Sequence, residues 1–514
     1  MRAPVATVLF CLNILGQPGI RQNGVMNMAS RIPPTLAGGA IARGTLFTIY
    51  GVRLGAAGHT TVSIAKTPVT IVSVDPRRID AWMPQSAPIG NGALVVTVDG
   101  LASRPFPLDV VASNPGLFSR NGEGWGPGRI ENLEASGGRR ENSTANAARL
   151  RQQVTLLATG LGEDSGAQVM IGNRLAKAGK PRPTARQGER EITVRIPADA
   201  PAGCFVPVYL LAAPNRASNV VTLSIHAGGG SCDPGPVPLF SSENIGVAAI
   251  SRTQMKSRVR NAADSVADDA RISFNAAGSE PVLSPLRLLP PPGTCTAYTS
   301  SFQADTELST SISSILGPEG RGLSAGAALT LSRGESSRRI PEGYGNAGSY
   351  RLHLGSAGTN DRRARPLFLE PGEYVLEGFG GKDVGPLRAA FSVPPPFEWT
   401  DREQASVVDR GRGVTLHWRG VSRGQTVLLV ARNVDQLTTA IGMCLCVAAT
   451  SAGQFEIPPA LLANVPVSRD LPGVPFDELV MGTVSSKAVA FSAAGLQGGF
   501  VVTVYASGRT VSYR

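Results

Sequence analysis

The sequence predicts an all-β protein made of several small sandwiches in tandem, and three observations carry that prediction. Apolar residues cluster in short β-branched runs such as "ALVVTVDG", "FVPVYLLAA", "SNVVTLSI", "VTLHWRG" and "QTVLLVA", each bounded by Gly, Pro, Asn or Asp, as strands are and helices are not. Sixty glycines and thirty-nine prolines supply turns between short elements, and no long apolar stretch recurs at helical spacing. One phrase is also written twice. "IYGVRLGAAGHTTVSIA" begins at Ile49 and "LATGLGEDSGAQVMIGN" at Leu157; both run apolar strand, glycine bend, Leu-Gly, polar turn, second apolar strand.

At 514 residues the chain exceeds what one hydrophobic core organises, and roughly 150 residues per domain suggests three or four domains. Residues 1–16 read as a secretory signal: Arg2 precedes an apolar run from Val5 to Leu15, broken only at Asn13, with a cleavage point after Gly16. That run is too short for a bilayer, and no later segment reaches the ~20 apolar residues of a spanning helix, so no integral membrane span is expected. Residues 17–116 are the first sandwich, 117–147 a connecting loop and 148–230 the second sandwich. Overlaying the copies places Pro84 on Pro197 and Pro88-x-Gly90 on Pro201-x-Gly203. Each copy then closes on a further strand, and units of roughly eighty to ninety residues have the size of an immunoglobulin-like sandwich. Gly51 and Gly160 fall where the strand bends, with the following Leu-Gly packed beneath. Residues 231–243 are a linker, 244–396 a β-rich domain ending in a spacer at Pro394 to Pro396, and 397–514 a C-terminal β-sandwich with one helical turn in "PALLANVP". An elongated arrangement of four units is expected.

These phrases, with "NGVMNMASRIPPTLAGGAIARGTLFTIYGVRLG", "SNPGLF" and "AGCFVPVYLLAAPNRASNVVTLSI", resemble exported proteins of Acidobacteria, notably the Solibacter group. Their shared domain is of the immunoglobulin-like, plexin and transcription-factor (IPT/TIG) type. The resemblance covers about residues 20–230, with weaker motifs beyond. It implies export and tandem immunoglobulin-like (IPT/TIG-type) β-sandwiches followed by two further β-rich domains, and it carries over no catalytic residues.

Charge and cysteine usage bear on partners and compartment. The net charge of +11 is spread through turns and strand ends, and only "KSRVR" and "GGRR" are dense. A nucleic-acid binder would gather its cations into a stripe with aromatics, so no nucleic acid is expected; a mildly basic surface attracted to acidic glycans or envelope polymers accounts for it. Removing the signal removes Cys11 and leaves Cys204, Cys232, Cys295, Cys444 and Cys446, in a compartment that permits disulfides. Cys204 and Cys232 flank one hairpin and form a natural pair. Cys295 then reaches to Cys444 or Cys446, which share one strand face, and the other is left as a free thiol; the disulfide candidates are Cys204, Cys232, Cys295 and Cys446 and the free-thiol candidate is Cys444, with the choice between Cys444 and Cys446 open. A zinc site needs four ligands at paired spacing, which one Cys-x-Cys and the scattered His59, His226, His353 and His417 do not supply, so no metal and no cofactor is expected.

Several motifs have chemical precedent, and each also has a plainer reading. "GLSAG" around Ser324 has the Gly-x-Ser-x-Gly form of a nucleophile elbow, with Asp383 and His417 following in order. An elbow requires a strand entering and a helix leaving, whereas these flanks read as a turn entering a strand. Ser63 and Lys66 in "SIAK" have a spacing that places side chains together on a helix, not on a strand. Glu163 and Asp164 offer carboxylates to calcium but lack the alternating acids of a calcium loop, so a solvated turn fits better. "GFGGKD" approaches a phosphate loop, but Asp383 stands where a magnesium-binding hydroxyl is required. Sugar rings stack on exposed aromatics. Among Trp82, Trp125, Trp399 and Trp418, the first and last read as strand positions, and Trp125, in the loop "NGEGWGPGR", is the candidate ligand-binding residue. The expected function is therefore an exported, non-enzymatic binding or adhesion module whose partner is an extracellular glycan or an envelope protein, the alternative being a structural component of an envelope complex.

Overall fold

The computed structural model describes residues 16–162, 168–213, 216–232, 244–257, 264–276, 288–301, 321–358, 365–469 and 477–514. The N-terminal apolar segment, most of the 231–243 linker and the Glu163–Asp164 turn lie outside the described residues. Among the described residues the protein is almost entirely β-structure, and the one α-helix is the short Pro459–Leu462 turn. Among the described residues no helix is long and apolar enough to cross a membrane.

The first unit is a nine-stranded sheet whose hydrogen-bonded order runs from Gly19–Asn27 at one edge, through Phe106–Val111, to Ile41–Ala42 at the other. Alternation drives it: in Thr60–Ile64 every second side chain is buried, and these meet Phe47, Ile49, Ile79, Leu94, Val96 and Leu108 in one core. At that far edge Ile41–Ala42 pairs in parallel with Val110 and Val111.

The second unit is a twelve-stranded sheet, and here the expected connecting loop at 117–147 is structured. Ile130–Leu133 pairs antiparallel with Gln153–Thr159, Ile130 opposite Leu156, and Gly126–Pro127 pairs in parallel with Val221–Ile225. The strands are short and glycine-rich, and their partners hold them. Asn132 and Asn142 are buried and bond to each other at 3.0 Å, to the Asn146 carbonyl at 2.9 Å and to the Ser224 carbonyl at 2.9 Å, which satisfies polar groups that would otherwise be costly to bury.

The aligned glycines serve different ends. A Cβ at Gly51 would lie 2.2 Å from the Gly19 carbonyl oxygen and 2.8 Å from Leu54 Cδ2, so Gly51 is there for close approach of the neighbouring strand, with Leu54 packed beneath as expected. Gly160 has φ +73°, a left-handed turn that disfavours any side chain.

The third sheet crosses the boundary expected at 396. Ile245–Lys256 pairs antiparallel with Ser265–Asn275 and in parallel with Gly498–Thr510, Ile245 beside Gly498. Thr294–Ser301 likewise pairs with Ala440–Ala448. Residues 244–396 and 397–514 thus share one thirteen-stranded sheet. The first seven residues of Ile245–Lys256 are all buried, as in a strand covered on both faces.

The units are also packed together rather than strung out. Tyr209 and Val220 of the second unit share a core with Trp399, Trp418 and Leu429. Ile32 and Leu36 of the first pack with Ala440, and Gln22 Nε2 donates to the Leu437 carbonyl at 3.0 Å.

Candidate functional site

Three strands of the large sheet set up one loop-bearing end. Ala328–Arg333 pairs antiparallel with Ser336–Gly343, Ala328 opposite Pro341, and with Gly372–Gly378, Thr330 opposite Glu377. The start of the first strand and the ends of the other two therefore lie side by side. Loops 322–327, 344–348 and 379–386 meet there.

The 322–327 loop is clamped by its neighbours. Ser324 Oγ donates to Glu342 Oε2 at 3.1 Å, and its N–H donates to Asp383 Oδ2 at 2.9 Å. The Asp383 and Val384 N–H groups return to the Ser324 carbonyl at 3.0 and 3.1 Å. Glu342 Oε1 accepts the Gly348 N–H at 2.8 Å. Tyr350 stands beneath, its ring edge-to-face with Phe274 at 5.7 Å; its hydroxyl accepts from the Ala325 N–H at 2.8 Å and donates to the Gly326 carbonyl at 2.7 Å. Burial first, then the nearby Glu342 charge against the opposing Ala325 contact, pushes the Tyr350 phenol up to about 12. Both carboxylates are thus spent on backbone N–H and hydroxyl donors, which rigidifies the loop.

On this base stand two rings in water. Tyr344 is 105% exposed and Phe379 96% exposed, while Tyr374 and Phe391 of the same core are buried and stacked at 5.9 Å. Each exposed ring follows the end of its strand and lies between two glycines, in Glu-Gly-Tyr-Gly at 342–345 and Glu-Gly-Phe-Gly at 377–380. That repeated tetrapeptide is the signal the sequence carried; read only as a failed phosphate loop, "GFGGKD" concealed it.

The residues singled out from sequence fall elsewhere or play other parts. Trp125 is buried, 5% exposed, edge-to-face with Tyr298 at 5.7 Å and packed with Phe205 and Cys204; the expectation of an exposed ring is corrected. Its loop is glycine-rich, but the large sheet covers it. Trp399 and Trp418 face each other across a strand pair in the core, with Trp399 Nε1 donating to Asp401 Oδ1 at 2.7 Å. Trp82 is half-buried and donates to the Gly44 carbonyl at 3.2 Å. Ser324 lies in a loop that leads into a strand, and the His417 ring meets Asp401 at 2.7 Å rather than Asp383, so no elbow or relay is assembled. Ser63 lies within the strand Thr60–Ile64 and Lys66 sits in the following turn at φ +71°.

The cysteines pair as Cys204 with Cys232 and Cys295 with Cys446, leaving Cys444 free and buried. Cys295 and Cys446 are directly opposed across antiparallel strands, Cα atoms 4.0 Å apart, whereas Cys444 faces Ala297. All three sulfurs lie within 4.8 Å of one another in the apolar core, and burial pushes the Cys444 thiol well up.

Comparison with known proteins returns no match among curated sequences. Among solved structures the chain is similar to a surface glycan-binding protein from Prevotella bryantii (13% identity, TM-score 0.16), over 40% of this chain and 42% of that one. It is similar to SGBP-B from a complex xyloglucan utilization locus in Bacteroides uniformis (10% identity, TM-score 0.16, 95% and 99% covered). It is similar also to the gamma-CGTase of alkalophilic Bacillus clarkii (13% identity, TM-score 0.16, 42% and 26% covered). The chain thus spans less than half the length of the Prevotella protein. The family model for the IPT/TIG domain matches residues 30–118: the first sandwich of this chain carries an IPT/TIG domain.

Proposed function

We propose that this chain is an exported, non-enzymatic binding or adhesion module that holds a cell-surface or extracellular polysaccharide on the loop end bearing Tyr344 and Phe379. The observation that carries the reading is the full exposure of both rings at one sheet end, on a base of hydrogen-bonded loops. A large ring held in water on a rigid support is a ready anchor, because apolar sugar faces stack on it and little conformational freedom is lost on binding. Glu342 and Asp383 are occupied in gripping the Ser324 loop, which makes them positioning groups and not acid–base partners. Two disulfides suit an oxidising compartment outside the cytoplasm, in keeping with the signal-like N-terminus.

The test is affinity electrophoresis of the oxidised mature chain from Gln17 through gels containing different polysaccharides, alongside binding to cell envelopes. Retardation by a polysaccharide that weakens at least about tenfold in Tyr344→Ala or Phe379→Ala, the scale of a lost aromatic anchor, supports the reading. Envelope binding with no retardation by any polysaccharide transfers it to a protein partner, as in an envelope scaffold.

A further inference from the structure

We infer that this loop end grips an internal stretch of polymer at two points, and that about four consecutive sugar residues are needed to reach both; this rests on the polymer-binding reading above and adds the length of chain engaged. Strand register sets the distance between the two rings. Pro341 lies opposite Ala328 and Glu377 opposite Thr330, so Phe379, two residues on, stands level with Ala328 on the far side of the strand Ala328–Arg333. Tyr344 lies three residues beyond Pro341. The anchors are therefore offset by two strand spacings across the sheet and three residues along it. At ~4.8 Å per strand and ~3.4 Å per residue, their Cα atoms are about 14 Å apart.

The rings themselves are not folded together, since two rings in contact would each cover a face of the other and both are fully exposed. A pyranose ring is about one strand spacing across, ~5 Å. A chain stacked on one ring thus reaches the second after about three further residues. The spacing is also braced. Ser324 donates its hydroxyl to Glu342, two residues before Tyr344, and its N–H to Asp383, four residues after Phe379, so one residue ties both ring-bearing loops. Once the first sugar has stacked, the second contact is intramolecular, and a fixed spacing loses little of that advantage to loop motion. A shorter ligand touches one ring and gains nothing from the other.

The experiment titrates the full oxidised chain, by calorimetry, with oligosaccharides of two to eight residues from mixed-linkage β-glucan, xylan, mannan and polygalacturonate, and with the four parent polymers. Tyr344→Ala and Phe379→Ala are run separately. Both positions are exposed, so an unchanged melting temperature confirms that the variants fold. The expected result is that at least one series binds, its affinity rising at least about tenfold between trimer and pentamer, the scale of a gained aromatic anchor, and changing little from hexamer to octamer. Each single variant should remove that step, so that trimer and hexamer bind alike. A disaccharide or trisaccharide that matches the hexamer means one sugar is held alone, and it overturns the two-point spacing while the polysaccharide reading stands. Affinity that goes on climbing through the octamer, binding confined to the parent polymers, or a step that survives in either variant has the same consequence. Failure of every oligosaccharide and every parent polymer to bind overturns both.

Discussion

The Cys444 sulfur lies 4.0 Å from the Cys446 sulfur, beside a disulfide that it does not join. Exchange begins with thiolate attack, and burial among apolar side chains holds Cys444 in its protonated form. The core thus protects the disulfide from its own neighbour. In the native oxidised chain at pH 8, Cys444 is expected to resist maleimide labelling over hours and to label fully after denaturation. Peptide mapping should find Cys295 linked to Cys446 throughout, and a native population linked to Cys444 would contradict this. Cys444→Ala should keep both disulfides and cost about 1 kcal/mol through lost packing.

Buried phenols set the alkaline limit of stability. Desolvation pushes Tyr209 and Tyr350 up to about 12 and raises Tyr298 further, whereas an unfolded tyrosine ionises near ~10. Above that pH the unfolded chain releases protons that the folded chain retains, so the stabilisation is complete below ~10 and is lost as pH rises toward 12. Urea midpoints of the Cys444→Ala chain, which cannot scramble its disulfide through that thiol, should hold level from pH 8 to 9.5 and then fall. Tyr209→Phe should make the fall shallower. An equal slope in both chains would count against Tyr209 as a contributor.

What the sequence made legible was local. Each copy of the phrase, around Gly51 or Gly160, lies within its own unit together with the proline in step with it, and the hairpin between Cys204 and Cys232 is a short span of one chain segment. What it hid was pairing between distant segments. Nothing near Ile245 announces that its strand lies parallel to one beginning at Gly498, and a tryptophan in "NGEGWGPGR" looks exposed until Tyr298 is folded onto it. The aromatic pair of the candidate site was readable as Glu-Gly-Tyr-Gly and Glu-Gly-Phe-Gly, but its shared location needed the register of three strands.

Gly51 gives a direct test of the first unit. A valine there would drive Cβ into the Gly19 carbonyl, 2.2 Å away, and against Leu54, so the edge strand Gly19–Asn27 must shift or detach. A loss of about 2 kcal/mol or more is expected, the range of overpacking a filled site. Gly58→Ala, in open space at φ +83°, should cost about 1 kcal/mol from the left-handed backbone alone. A thermal melt of Gly51→Val that matches the parent would remove the close-approach argument.

The clamp beneath the two rings separates positioning from contact. Glu342→Ala leaves the Gly348 N–H and the Ser324 hydroxyl without their acceptor, an expected cost of about 1–3 kcal/mol. Because Tyr344 is anchored only two residues away, the loop should loosen and polymer binding should weaken although both rings remain. Tyr344→Ala should do the reverse, losing binding with the melting temperature unchanged, since the ring is fully exposed. Glu342→Gln keeps one acceptor oxygen and should recover most of the stability. If Glu342→Ala lowered stability but bound polymer as tightly as the parent, the rings would be working without a rigid base, and preorganisation would have no part in the affinity.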